Sequence, residues 1–222
     1  MKFRIIGFSL IIVALLFGAI YGSKYFAESL RHDASTTASL EQEAKEEAAK
    51  AKEEFLDISK EPGASDAKSQ EDTARLRIVE NDVVAKLTLD ACQIDTLVYE
   101  NVEDNFYLYK DASGKESRHG EIYTNCYDCK VPIIYGHHMN DGTMFGSLDV
   151  AYVGASITLE DIGWLDDSVR HYKVAEVIPD VPASEVWNKL GDVDEGLVLI
   201  TCSYGVDDGR LIVIAKEDIP AD

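Results

Sequence analysis

The stretch Leu197-Val-Leu-Ile-Thr-Cys202-Ser-Tyr-Gly-Val-Asp-Asp-Gly-Arg210-Leu-Ile-Val-Ile-Ala215 leads an apolar segment into a thiol, turns through Gly and Asp residues, and starts a second apolar segment on an arginine. If the two segments pair as antiparallel strands, Cys202 and Arg210 stand at the same end of a sheet. A guanidinium beside a thiol favours the nucleophilic thiolate, and its planar N–H donors can hold an oxyanion. A second stretch, Val131-Pro-Ile-Ile-Tyr-Gly-His137-His138-Met-Asn-Asp-Gly-Thr-Met-Phe-Gly-Ser-Leu148, again runs an apolar segment to a polar end, here an imidazole. Cysteine needs a base or cation at hand to react at neutral pH, and histidine changes protonation readily there. Thiol, imidazole and guanidinium at three strand ends are the parts of nucleophilic acyl transfer. Each residue taken alone has a plainer reading: an inert buried cysteine, a solvent-facing arginine, a structural histidine. His137-His138 also suggests half of a metal site, but no acidic or histidine cluster at ligand spacing accompanies it, so no metal is expected.

The elements that must position these residues read as strands. Short runs rich in β-branched and aromatic residues, parted by Gly, Asp and Asn, fall near 83–89, 93–99, 121–125, 131–136, 155–160, 170–178, 196–202 and 210–216. Strands this numerous and short predict a mainly β fold, a closed or nearly closed eight-stranded barrel, because closure removes exposed edges. Short helices are expected around 143–148 and 183–190, the second with Ser184 as its cap.

Ahead of the barrel the composition changes twice. Residues 5–21 carry no charge and follow Lys2 and Arg4, the pattern of a single transmembrane helix with a cytoplasmic N-terminus and everything after it outside the cell. At the ordinary helical rise the span is about 26 Å long, at the short end for a bilayer. Residues 39–57 are nearly all Ala, Glu and Lys, with Glu41–Lys45 and Glu46–Lys50 spaced as favourable i,i+4 pairs. They predict a solvated helical stalk, followed by a linker at Glu61-Pro-Gly-Ala-Ser. The expected organisation is a cytoplasmic tip and anchor over 1–22, stalk and linker over 23–75, and a catalytic domain over 76–222. A formal net charge of −20 argues against nucleic-acid binding, which needs clustered Lys and Arg. Cys126-Tyr-Asp-Cys129 can be a redox pair, half a zinc site or a structural disulfide, and Cys92 reads as a small core residue.

Tyr135-Gly-His137-His-Met-Asn-Asp-Gly-Thr-Met-Phe-Gly-Ser-Leu148 closely resembles the histidine motif of class B sortases. Leu199-Ile-Thr-Cys202 with the following Arg210 resembles that family's Thr-Leu-x-Thr-Cys and arginine motifs, and Asp104-Asn105-Phe-Tyr-Leu-Tyr is similar to the family's stretch after the second strand. The likeness spans about residues 83–217. It implies a sortase barrel on a type II membrane anchor in a Gram-positive envelope. Cys202 would be the nucleophile toward the Thr carbonyl of a C-terminal sorting motif, His137 the acid and base, and Arg210 the oxyanion stabiliser. His138, Thr201, Ser203 and Tyr204, beside the motifs, are expected to line the substrate site. The implied partners are secreted proteins bearing a sorting motif and an amine of a peptidoglycan cross-bridge or a pilin lysine, with no cofactor. Val198 stands where the family has its first Thr, and the segment from Pro179 to Glu195 is shorter than the family's helix-bearing insertion. A non-catalytic, membrane-anchored envelope interaction protein on a similar barrel is the alternative.

Overall fold

Apolar, β-branched runs set the strands. In the computed structural model, which describes residues 37–53, 82–103, 105–164 and 168–219, they form β1 (Val83–Leu89), β2 (Ile94–Glu100), β3 (Tyr123–Thr124), β4 (Ile133–Tyr135), β5 (Ser156–Asp161), β6 (Val169–Pro182), β7 (Leu197–Ser203) and β8 (Gly209–Glu217). The eight close into a barrel in the order β1-β2-β3-β4-β7-β8-β6-β5, the expected architecture. Neighbours are antiparallel except for β2 with β3 and β4 with β7, which are parallel.

Alternation along the strands sorts two apolar layers. Leu87, Val98, Ile134, Leu197, Leu199 and Val213 point into the barrel with Phe145 and Leu148. Val198, Ile200, Ile212 and Ile214 point outward, where Val181, Val186 and Leu190 cover them. β7 and β8 are therefore buried on both faces, which is why they read as unbroken apolar runs rather than alternating ones. Each fully buried side chain of this kind stabilises the fold by roughly 1.5–3 kcal/mol.

The helices differ from expectation in detail. Residues 143–147 are a turn, with only a 3-10 turn at Leu148–Val150, because Gly142 and Met144 take positive φ (83° and 52°) that a helix does not allow. After β6, a 3-10 turn at Ala183–Glu185 leads into a five-residue helix, Val186–Leu190. Ser184 lies inside that 3-10 turn and caps neither piece. Residues 37–53 are helical, within the range expected for the stalk. Ala44 and Ala48 are buried, and Lys45 Nζ lies 2.6 Å from Glu160 Oε1 of β5. A small-residue stripe thus gives residues 43–53 a docking face that their Glu/Lys content did not suggest. The expected transmembrane span over 5–21 and the linker lie outside the described residues, and no described helix is long and apolar enough to cross a membrane.

Cys126 and Cys129 are joined as a disulfide, Cα atoms 5.5 Å apart. Tyr127 between them is fully buried: its hydroxyl donates to Asp161 Oδ1 at 2.5 Å and its ring lies 4.7 Å from the Arg170 guanidinium. Of the three readings open for the C-x-x-C pair, the disulfide is the one formed.

Candidate active site

The site is made by two strand pairings. In the antiparallel β7–β8 ladder Cys202 is the direct partner of Arg210. In the parallel β4–β7 ladder Tyr135 pairs with Ile200, and the match continues beyond the strand: Gly136 N donates to Ile200 O at 3.2 Å and Thr201 Oγ1 to Gly136 O at 2.8 Å. His137 lies two residues beyond Tyr135, as Cys202 lies two beyond Ile200, so both stand at the same end of the β4–β7 pair. Side chains alternate across a strand, so Cys202 shares a face with Val198 and Ile200, Arg210 with Ile212 and Ile214, and His137 with Ile133 and Tyr135. All of those neighbours belong to the outer apolar layer. Thiol, imidazole and guanidinium therefore stand on the outer face of three adjacent strands, at one end, and each is only partly buried.

Local chemistry fixes the histidine. Asp141 Oδ1 accepts from Thr143 N (3.0 Å) and Thr143 Oγ1 (2.6 Å), closing a tight turn through Gly142. Phe145 and Leu148 then plug into the core, and Phe145 N donates to His137 O at 2.9 Å. These contacts give Asp141, Gly142, Thr143, Phe145 and Leu148 of the motif their structural places. His137 Nε2 lies 2.8 Å from Leu108 O. A carbonyl can only accept, so Nε2 carries a hydrogen and the lone pair of the neutral ring is on Nδ1. Leu108 ends the 3-10 turn Phe106–Leu108, which follows Asn105 in the left-handed region (φ 60°). Gly120 crosses beneath with φ 59°, and a Cβ there would stand 2.6 Å from Leu108 O and overlap Tyr107 O. Only glycine lets this crossing hold the carbonyl where His137 needs it.

Arg210 is held by its own loop. Nη1 lies 2.9 Å from Asp208 Oδ1 and donates to Gly209 O (2.9 Å) and Asp208 O (3.1 Å). All three contacts use Nη1, which leaves the N–H groups of Nε and Nη2 for a substrate oxygen.

The four residues expected to meet substrate divide. Tyr204 is 70% exposed; its ring packs edge-to-face on His138 at 4.9 Å and its hydroxyl donates to His138 O at 3.1 Å. The Ser203 hydroxyl donates to Asp180. Thr201 is buried and spends its hydroxyl on Gly136, so its place is to hold β4 against β7 rather than to touch a ligand. The other free thiol, Cys92, is buried, and burial together with the Asp149 carboxylate pushes it up to about 11. Leu108 lies in the Asp104–Tyr109 stretch that the sequence singles out, but it meets His137 through its main-chain oxygen, which no side-chain type announces. A cleft of about 290 Å³ lies beside β4, walled by the Cys126–Cys129 disulfide, Val131, Ile133, Tyr135 and Trp187.

Residues 87–218 match the sortase domain, which is more than half of the chain. The chain belongs to the sortase family. Sortase B of Listeria monocytogenes is 33% identical over 78 residues, 33% of this sortase and 32% of that protein; the aligned stretch thus spans about a third of the relative's length. Sortase B of Clostridium perfringens has the same fold, with a TM-score of 0.53 at 20% identity over 62% of this sortase and 94% of that chain. A mutant form of that Clostridium perfringens protein gives 0.52 at 19% identity, over 62% and 82%.

Proposed function

We propose that this sortase is a class B, membrane-anchored cysteine transpeptidase that cleaves a C-terminal sorting motif after Thr and passes the acyl group to an amine. The observation that carries the proposal is the convergence of Cys202, His137 and Arg210 on one outer face of β4, β7 and β8. The Cys202 thiolate attacks the Thr carbonyl carbon, and the carbonyl electron pair moves onto oxygen, where the Nε and Nη2 hydrogens of Arg210 hold it. Collapse breaks the C–N bond, protonated His137 gives its proton to the leaving amine, and a thioester on Cys202 remains. An incoming amine of a peptidoglycan cross-bridge, or a pilin lysine, then attacks the thioester. Neutral His137 takes the amine's proton, and the Cys202 thiolate leaves.

The charge-free stretch 5–21 behind Lys2 and Arg4 supports a single-pass anchor with the catalytic domain outside a Gram-positive cell. The Cys126–Cys129 disulfide is in keeping with such an oxidising compartment. The full chain is expected in the membrane fraction, and recovery in the soluble fraction would remove the anchor from the reading. Activity is tested with peptides carrying Thr at the cleaved bond, with and without an added amine. Wild type should yield the amine-linked product, Cys202→Ala neither that product nor the hydrolysed one. Cleavage that survives Cys202→Ala overturns the reading.

A further inference from the structure

β6 is irregular between Ile178 and Val181, where its register with β8 slips. Asp180 sits in that irregularity with φ 57°, a left-handed conformation that Asp, Asn and Gly tolerate better than other residues. Its Oδ1 accepts from the Ser203 hydroxyl and from Gly205 N, the latter at 3.0 Å. These are the first and third residues after Cys202. Gly205 packs so closely that a Cβ there would overlap the Asp180 carboxylate. On the returning limb of the same connection, Val181 pairs with Arg210 and Pro182 with Gly209, and Ala183 N donates to Asp208 O at 3.0 Å. Residues 180–183 of β6 and the turn after it thus grip both limbs of the segment that has Cys202 at one end and Arg210 at the other.

We propose that Asp180 is a positioning residue for the Cys202–Arg210 pair. Its carboxylate fixes the outgoing limb, so that sulfur and guanidinium address one substrate carbonyl together. Near-attack geometry is sensitive to displacements of about 1 Å, and the β7–β8 connection is exposed over residues 204–208, tied to the β4 side through Tyr204 on His138 and to β6 through Asp180. The two hydrogen bonds require an acceptor oxygen, not a negative charge, so a carboxamide serves as well.

The kinetic half of the proposal rests on the transpeptidase reading; the structural half does not. The test uses Asp180→Asn, which keeps the acceptor, Asp180→Gly, which removes it without backbone strain, and Gly205→Ala, which displaces the carboxylate from the other side. Amide hydrogen exchange at 203–205 and steady-state cleavage are measured on the full chain. Asp180→Gly and Gly205→Ala are expected to speed exchange at Gly205 and lower kcat, each by about tenfold, with KM changed by less than about twofold and Tm nearly unmoved. Asp180→Asn is expected to stay within about twofold of wild type in both. Unchanged exchange in Asp180→Gly overturns the proposal, as does a kcat loss that merely follows Tm, or an Asp180→Asn variant as impaired as Asp180→Gly. If no variant of the chain transfers acyl groups, the exchange result still decides whether Asp180 holds the connection.

Discussion

At the scale of single residues the two free thiols make a sharp contrast. Cys92 is buried and pushed up to about 11, which leaves it almost wholly protonated at neutral pH, whereas Cys202 is partly exposed with Arg210 directly across the β7–β8 ladder. Alkylation at pH 7 should therefore label Cys202 at least about 100-fold faster than Cys92, read by peptide mapping; comparable rates would count against an activated thiol. Replacing Arg210 with Lys keeps the charge but loses the planar donors, and is expected to lower kcat/KM about 100-fold with little change in KM. The positions of Cys202, His137 and Arg210 were legible as residue types at the ends of apolar runs, since each terminates or begins one. Leu108 and Asp180 were not, because a main-chain oxygen and a carboxylate in a strand irregularity leave no spacing to detect. Thr201 carried the opposite error, since its place in the motif suggested a ligand contact while the inward phase of β7 buries it.

At the scale of elements, β7 and β8 were easiest to read, being long and apolar on both faces. β3 and β4, only two and three residues long, owe their place to neighbours: Tyr123 stacks on Tyr135 with ring centroids 5.4 Å apart, and the parallel match to β7 sets the register that carries His137. The expected helix at 143–148 misled because its apolar residues Phe145 and Leu148 are core plugs rather than a helical face. The disulfide loop is an element whose worth can be measured. Closing so short a loop constrains the unfolded chain by about 2 kcal/mol, so Cys126→Ser with Cys129→Ser should cost about that much in denaturant unfolding. Buried Tyr127 should keep the loop seated in the double variant. A Gly120→Ala change adds a clash with the Tyr107 and Leu108 carbonyls to a left-handed backbone penalty of about 1 kcal/mol, so it should destabilise the fold by more than that penalty and slow turnover by shifting the His137 partner. A variant of unchanged kcat would show that this carbonyl does not set the ring.

At the scale of the whole molecule, one carboxyl couples stability to pH. Burial raises Glu121 from 4.5 to about 7, with the Ala112 N–H bond opposing and Asp111 reinforcing the rise. The folded state therefore binds this proton more tightly than the unfolded chain. The associated stability is fully present below 4.5 and is lost as pH rises through about 7. Unfolding free energy should fall by up to about 3 kcal/mol between pH 4.5 and 8, and Glu121→Gln should flatten that slope; an identical slope in the variant would assign the pH dependence elsewhere. The barrel itself followed from eight separate apolar runs, but its closure order depended on two parallel pairings that no local pattern announces. One of them, β4 with β7, together with the antiparallel β7–β8 ladder, brings the strand ends that carry His137, Cys202 and Arg210 together. The most direct test of that convergence is intact-mass analysis with peptide mapping after brief exposure to a sorting-motif peptide in the absence of amine. An acyl adduct confined to Cys202, discharged by added amine and missing in Cys202→Ala, is the expected result; cleavage of the peptide with no adduct at Cys202 would contradict it.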